Sequence, residues 1–192
     1  MSDTHLLPEF WSHELNASFT DVEKYWLSRP GALTSGLRKV GEFSIRVLNE
    51  YLAYVKEDEA YPLGLAINQK VWVREILMSI NGKMAVFARS ITELNASRTT
   101  WQGIRALNAR PLADILYNDP AITRGSFEST KLNNQLSLYH ALTGYSELPW
   151  GDFPARRSTF FQNEEGLTVN EIFLPGFWEE LAKHPLEKQI NF

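Results

Sequence analysis

The chain has 192 residues, 44% of them hydrophobic and 22% charged, which is typical of a single soluble domain with a sizeable core. Its formal net charge of -4, without a clustered basic patch, argues against a nucleic-acid surface. Cysteine is absent, which excludes disulfides and thiolate chemistry and suits a reducing cytoplasm. The sequence shows neither an export signal nor a membrane-spanning run, so we expect a cytoplasmic domain over 1–192.

The first part of the chain predicts a helical segment followed by a long strand. Apolar residues recur at helical spacing over 8–28, where Thr20 and Glu23 form a capping-box pattern. Between 41 and 55 the pattern becomes rich in β-formers and alternates, which predicts a strand. The charge run at 56–59 predicts a solvated loop.

The strongest local signal is a β-hairpin over 71–90. Two alternating apolar runs flank Asn81 and Gly82, a pair suited to the positive φ angles of a type I′ turn. Two short helices are expected next, over 100–107 and over 111–117.

The second half of the chain predicts further strands. Strand-like runs lie at 121–130, 154–162 and 167–174, with a four-residue turn at 163–166, a helical or looped insertion at 133–150 and an outer helix in the tail 176–192. Consecutive strands joined by tight turns are antiparallel, and the helices do not alternate with every strand. The sequence therefore predicts an α+β fold, a single domain with a roughly six-stranded antiparallel sheet and helices packed on one side.

Several kinds of chemistry lack their sequence signals. The histidines, at 5, 13, 140 and 184, are scattered and have no metal-ligand spacing. A nucleophile elbow, a Gly-rich phosphate loop and a dinucleotide fingerprint are also missing. We therefore expect neither a metal nor a bound cofactor.

Two ionisable residues lie on apolar strand faces. Alternation places Arg74 beside Trp72 and Ile76, and Glu171 beside Phe173. A charge turned toward a core is costly unless it finds a partner. Arg74 and Glu171 either form an internal salt bridge, or reach water past a sheet edge, or bind a small organic anion.

Other arginines in strand-like runs are further candidates for an anion site. Arg124, and either Arg156 or Arg157, could face the same cavity, whereas Arg89 could point to water. A guanidinium stays charged and binds a carboxylate through two parallel hydrogen bonds, so each of these residues suits an organic acid.

The motifs around these residues resemble those of the bacterial chorismate pyruvate-lyase family. They occur in the family's order over about 30–175 and comprise Trp72–Leu77, Arg110–Leu112, Ile122–Arg124, Ala155–Ser158 and Asn170–Pro175. The resemblance implies a single-domain α+β fold with a six-stranded antiparallel sheet, related to the ligand-binding UTRA domains of transcription regulators. The segment 131–152 and the tail 176–192 are longer than their counterparts in the family.

The resemblance also implies an activity and the roles of individual residues. The substrate would be chorismate and the products 4-hydroxybenzoate and pyruvate, formed without a cofactor in the first committed step toward ubiquinone. Arg74 would bind the ring carboxylate and Glu171 the 4-hydroxyl, while Leu112 and Leu33 would contribute backbone groups and apolar walls. The expected partners are small molecules, without nucleic acid or membrane, and the enzyme is expected to be a monomer. The alternative is a non-catalytic sensor or carrier domain for a small aromatic acid.

Overall fold

An antiparallel sheet organises residues 10–192, the part of the chain described by the structure, which is a computed structural model. Its strands are β1 (Phe43–Tyr54), β2 (Lys70–Ile80), β3 (Lys83–Glu93), β4 (Thr123–Arg124), β5 (Glu128–Lys131), β6 (Pro154–Gln162) and β7 (Glu165–Phe173). The order is β1-β2-β3-β7-β6-β4, and β5 also pairs with β6. The predicted α+β class is confirmed. The strand number is seven rather than six, because β4 and β5 pair with successive stretches of β6.

Helices cover both faces of this sheet. They are α1 (Asp21–Ser28), α2 (Leu33–Val40), α3 (Glu57–Ala60), α4 (Ala113–Leu116), α5 (Ser137–Thr143), α6 (Pro175–Leu181) and α7 (Leu186–Gln189). The first face, which carries Ile76 and Met78, packs against α1, α2 and α6. The second face, which carries Leu77 and Phe87, packs against α5. The prediction of helices on one side is therefore wrong, since β2 and β3 are buried on both of their faces.

The predicted N-terminal helix over 8–28 is correct only in its second half. Helix α1 begins after Thr20, whose side chain forms the predicted capping box with Glu23. Residues 8 and 9 lie outside the described part, and residues 10–20 are irregular. Trp11 belongs to the core of the second face, where the chain forms a β-bridge to β5 through Ser12 instead of a helix.

The predicted hairpin is confirmed as β2 and β3. Asn81 and Gly82 have φ angles of 50° and 77°, as a type I′ turn requires. The β6–β7 turn contains two residues, Asn163 and Glu164, with φ angles of 50° and 65°, rather than four, because pairing continues to Gln162.

A β-bulge in β1 changes which face its residues occupy. The pairing with β2 shifts register between Val47 and Asn49. Val47 pairs with Ile76 before the shift, and Glu50 pairs with Arg74 after it. Unbroken alternation over 41–55 predicts Tyr51 on the same face as Val47, and this prediction is wrong because the extra residue at the bulge reverses the parity.

Two local predictions are wrong because long-range contacts decide the outcome. The charge run 56–59 contains most of helix α3, and Glu59 is buried in an ion pair with Arg89 at 2.7 Å. The tail does form a helix, α6, but this helix is not on the outside: Phe177 is fully buried, with its ring 4.8 Å from that of Trp26.

Of the two helices expected before β4, the first is a 3-10 turn at Gln102–Ala106 and the second is α4.

Candidate active site

A cavity lies on the first face of the sheet, with a volume of about 560 Å³ that includes the space open to solvent at its entrance. The strands contribute Ile76 and Met78 from β2, Ala88 and Ser90 from β3, Val169 and Glu171 from β7, and Arg156, Ser158 and Phe160 from β6. Ala88, Ser90 and Ser158 are small, and this leaves room above the sheet.

Two segments close the cavity from above. One is the start of α2, where Leu33 is buried and lines the cavity together with Ala32 and Thr34. The other runs from Pro111 into α4 and contains Leu112, which is also buried. The structure therefore brings Leu33, Leu112 and Glu171 around one space, although they are far apart in the sequence.

Glu171 is paired with Arg156 inside this cavity. The two residues stand opposite each other on β7 and β6, and Arg156 Nε donates to Glu171 Oε2 at 2.6 Å. Arg156 NH1 also donates to the carbonyls of Trp26 and Arg29, which ties the α1–α2 connection to the sheet. Glu171 Oε1 has no hydrogen-bond partner among residues 10–192, so it can accept a bond from a ligand.

Arg74 lies on the same sheet face but outside the residues that line the cavity. Its side chain is 1% exposed, and Nε donates to Glu50 at 3.0 Å. NH2 donates to the carbonyl of Asn108 at 2.6 Å and, more weakly, to that of Arg110 at 3.4 Å. Burial lowers the pKa of Arg74, and the Glu50 carboxylate opposes this shift. Arg74 thus holds the backbone immediately before Leu112.

The internal salt bridge between Arg74 and Glu171 is not formed. Each residue has a different charged partner, Glu50 for Arg74 and Arg156 for Glu171. Arg157, another candidate from the sequence, lies on the opposite face. There it pairs with Glu128 at 2.7 Å and stacks on Trp11.

Arg124 lines the cavity next to a residue that the sequence analysis missed. Arg124 NH1 donates to the Tyr117 hydroxyl at 2.9 Å, and its guanidinium lies 4.2 Å from the ring centroid of Phe127. Burial raises the pKa of Tyr117. Tyr117 directly follows α4. The motif Arg110-Pro111-Leu112 marked this segment in the sequence, but no sequence pattern distinguished the Tyr117 side chain.

The second face of the sheet holds a separate buried charge network. Arg89 bonds to Glu59, Glu75 and the Tyr51 hydroxyl, while Tyr145 donates to Glu75 at 2.6 Å. Burial is the largest single effect and disfavours the positive charge, but Glu59, Tyr51 and Glu75 together outweigh it and raise the pKa of Arg89. Arg89 therefore points to buried carboxylates rather than to water.

Residues 10–192 contain no grouping of three or more His, Asp or Glu side chains placed to hold a metal ion. Within the same range, every helix is too short or too polar to cross a membrane.

The fold and the cavity define a class of protein: an α+β protein with a cavity suited to a small molecule that carries both polar and apolar groups. The cavity combines hydrocarbon walls with one fixed ion pair, a second cation and several hydroxyls. Such a lining suits a compact organic acid.

Comparison with known proteins identifies the family. The sequence profile of the family described as chorismate lyase matches residues 10–183. A protein named "Probable chorismate pyruvate-lyase" from Bordetella pertussis is 45% identical over 180 residues, covering 92% of this chain and 93% of the relative. One from Burkholderia pseudomallei is 36% identical, covering 90% and 94%, and one from Pseudomonas entomophila is 31% identical, covering 96% and 100%.

The chain belongs to the chorismate lyase family and is an enzyme of the lyase class. The resemblance stated from the sequence is confirmed, and the match extends beyond 30–175 at both ends. Among solved structures, the C-terminal domain of a histidine utilization repressor from Pseudomonas syringae has a TM-score of 0.48 at 13% identity, covering 76% of this chain and 96% of that one. A GntR-family regulator from Enterococcus faecalis has a TM-score of 0.45 at 11% identity, covering 70% and 91%.

Proposed function

We propose that this enzyme converts chorismate into 4-hydroxybenzoate and pyruvate without a cofactor, as the first committed step of ubiquinone biosynthesis. The observation that carries the proposal is the cavity on the first sheet face, where Glu171 and Arg156 are held between hydrocarbon walls in a chain of the chorismate lyase family. We also propose that the enzyme is a cytoplasmic monomer that forms a single domain.

The reaction is an elimination that makes the ring aromatic. The bond between the ring carbon and the ether oxygen breaks, and the neighbouring ring carbon loses its hydrogen, which passes to the enolpyruvyl methylene to give pyruvate. No electrons are exchanged with a second molecule. The task of the protein is therefore to hold the side chain folded over the ring.

Arg74 and Glu171 are proposed to bind the two ends of the ring. The ring carboxylate would bind the Arg74 guanidinium, and a bidentate bond through both terminal nitrogens would displace one of the hydrogen bonds that Nη2 now donates to the carbonyls of Asn108 and Arg110. Glu171 Oε1 would accept a hydrogen bond from the 4-hydroxyl, while Oε2 stays paired with Arg156. Leu33 and Leu112 would form the apolar walls.

A second cation is needed because chorismate carries two carboxylates. Arg124, Arg156 and Arg157 were the candidates, and a cation there would hold the side-chain carboxylate and stabilise charge that develops on the ether oxygen. Arg157 faces away from the cavity and is not part of this proposal.

Incubating the purified chain with chorismate, without added metal or cofactor, tests the proposal. We expect 4-hydroxybenzoate and pyruvate to form in equal amounts, followed by ultraviolet absorbance and a coupled pyruvate assay. Binding of 4-hydroxybenzoate without turnover of chorismate would instead indicate a carrier or sensor. A requirement for an added metal or cofactor would contradict the cofactor-free reaction.

A further inference from the structure

The charges around the cavity leave one cation uncompensated. Arg156 and Glu171 neutralise each other, and Arg74 has the Glu50 carboxylate. Arg124 has no carboxylate within 4.0 Å among the described residues. An unpaired guanidinium in the wall of a partly apolar cavity is well suited to bind an anion.

The surroundings of Arg124 hold its guanidinium in place without using all of its donors. Its strand β4 pairs with β6, and its guanidinium is stacked on the Phe127 ring. NH1 donates to the Tyr117 hydroxyl and, at 3.5 Å, to the Gly31 carbonyl, whereas Nε and NH2 have no hydrogen-bond partner in residues 10–192. The remaining donors are available to a ligand.

Tyr117 adds a second donor next to the guanidinium. Its oxygen accepts the bond from Arg124, so its own proton remains free to be donated. The phenol ring packs edge-on against Phe160, with the centroids 5.8 Å apart. A phenol has an ordinary pKa of 10.0 and so keeps its proton at neutral pH, and partial burial raises the pKa of Tyr117 further.

We propose that Arg124 and Tyr117 together bind the carboxylate of the enolpyruvyl side chain, which makes Tyr117 a substrate-binding residue. The inference rests on the proposed function and selects among its candidate cations. Arg156 is less suited, because Nε is committed to Glu171 and NH1 to two backbone carbonyls.

This assignment predicts that Arg124 and Tyr117 bind the substrate but not the aromatic product. Chorismate carries the side-chain carboxylate, whereas 4-hydroxybenzoate has lost it. Arg124 and Tyr117 therefore contribute to the capture of substrate but not to the retention of the aromatic product. Substitutions at these two positions should weaken chorismate turnover and leave 4-hydroxybenzoate binding almost unchanged.

The experiment compares Tyr117→Phe and Arg124→Gln with two exposed controls, Tyr54→Phe and Arg98→Gln. Steady-state kinetics with chorismate and calorimetric titration with 4-hydroxybenzoate are measured for every variant. Removing one hydrogen bond to a charged group should lower kcat/KM about tenfold in Tyr117→Phe, mainly through KM. Removing the charge should lower it about 100-fold in Arg124→Gln. The controls should match the unmodified chain.

Each variant should bind 4-hydroxybenzoate with an affinity within about threefold of that of the unmodified chain, a change well below the tenfold that corresponds to 1.4 kcal/mol. Because only a folded cavity can bind this ligand, the same measurement verifies that each variant is folded. Unchanged kcat/KM in both variants would overturn the inference. Equal losses for chorismate and 4-hydroxybenzoate would also overturn it, because the pair would then contact the ring or act structurally. Failure of the unmodified chain to convert chorismate would refute the proposed function itself, and the inference with it.

Discussion

Glu171 and Arg156 are directly opposite each other on adjacent antiparallel strands, and their 2.6 Å hydrogen bond leaves the other carboxylate oxygen without a partner among residues 10–192. The pair places a fixed negative charge beside a positive one in the cavity. An acceptor for a substrate hydroxyl is thus held in position by a neighbouring strand rather than by a flexible loop.

Replacing Glu171 with Gln should slow turnover with little loss of stability. The amide oxygen can still accept from Arg156, but the atom that faces the substrate hydroxyl becomes an NH2 group, which cannot accept a hydrogen bond. We expect kcat to fall about 10- to 100-fold, as for the loss of a charged hydrogen bond. Chorismate kinetics and a thermal unfolding curve measure both effects.

Glu179→Gln is the matched control for that experiment, because the Glu179 side chain is 58% exposed and pairs with Lys83 at the surface. It should retain full activity. Normal kinetics in Glu171→Gln would reduce Glu171 to a structural partner of Arg156.

Arg74→Ala should weaken 4-hydroxybenzoate binding by about 3 to 5 kcal/mol, or two to four orders of magnitude in affinity. The substitution removes the guanidinium proposed for the ring carboxylate and leaves the Asn108 carbonyl without its donor. Arg74→Lys keeps the charge but loses the planar fork, so it should bind with intermediate affinity. Calorimetric titration measures all three proteins.

Arg46→Ala is a suitable comparison, since Arg46 is exposed and also has a glutamate partner, Glu147 at 3.6 Å. Its affinity for 4-hydroxybenzoate should equal that of the unmodified chain. An Arg74→Ala protein that binds and turns over normally would remove Arg74 from the site.

Arg89→Ala should be strongly destabilising. The substitution leaves Glu59 and Glu75 buried without their shared cation, and breaking a buried ion pair from one side costs about 3 to 5 kcal/mol. The free energy of unfolding from urea titration measures the loss. In Arg98→Ala, at an exposed position, the change should stay within about 0.5 kcal/mol. A loss in Arg89→Ala no larger than in this control would mean that the network contributes nothing to stability.

Stability should fall on acidification in part through Glu180. Hydrogen bonds from Lys183 and Asn81 lower its pKa to about 2 from an ordinary value of 4.5. Between these two pH values the Glu180 carboxylate is protonated more in the unfolded chain than in the folded one. Its contribution to stability is therefore complete above about pH 4.5 and is lost as the pH falls toward 2.

Unfolding free energies measured from pH 6 to pH 3 should therefore fall less steeply in Glu180→Gln than in the unmodified chain. Glu179→Gln, one residue away and exposed, should keep the steeper dependence. Identical pH profiles for Glu180→Gln and the unmodified chain would show that this carboxylate does not contribute to acid stability.

Local signals in the sequence determined much of the fold. The Asn81-Gly82 pair specified a hairpin because few other residues accept two consecutive positive φ angles. The capping box specified the start of α1. Alternation placed Arg74 and Glu171 each on the apolar face of its own strand, because the direction of a side chain along a strand depends only on its neighbours and on the pleat. The pairing of β2, β3 and β7 then made these the same face of the sheet.

The tertiary structure decided which partner each charge has. Arg74 meets a carbonyl 34 positions away, Arg156 meets Glu171 across a turn, and the guanidinium of Arg124 meets a phenol at the end of α4. The bulge in β1 moved Tyr51 to the other face, and burial of Glu59 turned a predicted solvated loop into a helix. Sequence periodicity fixes the direction of a side chain, but its partner depends on where distant backbone passes, and packing of the whole chain sets that path.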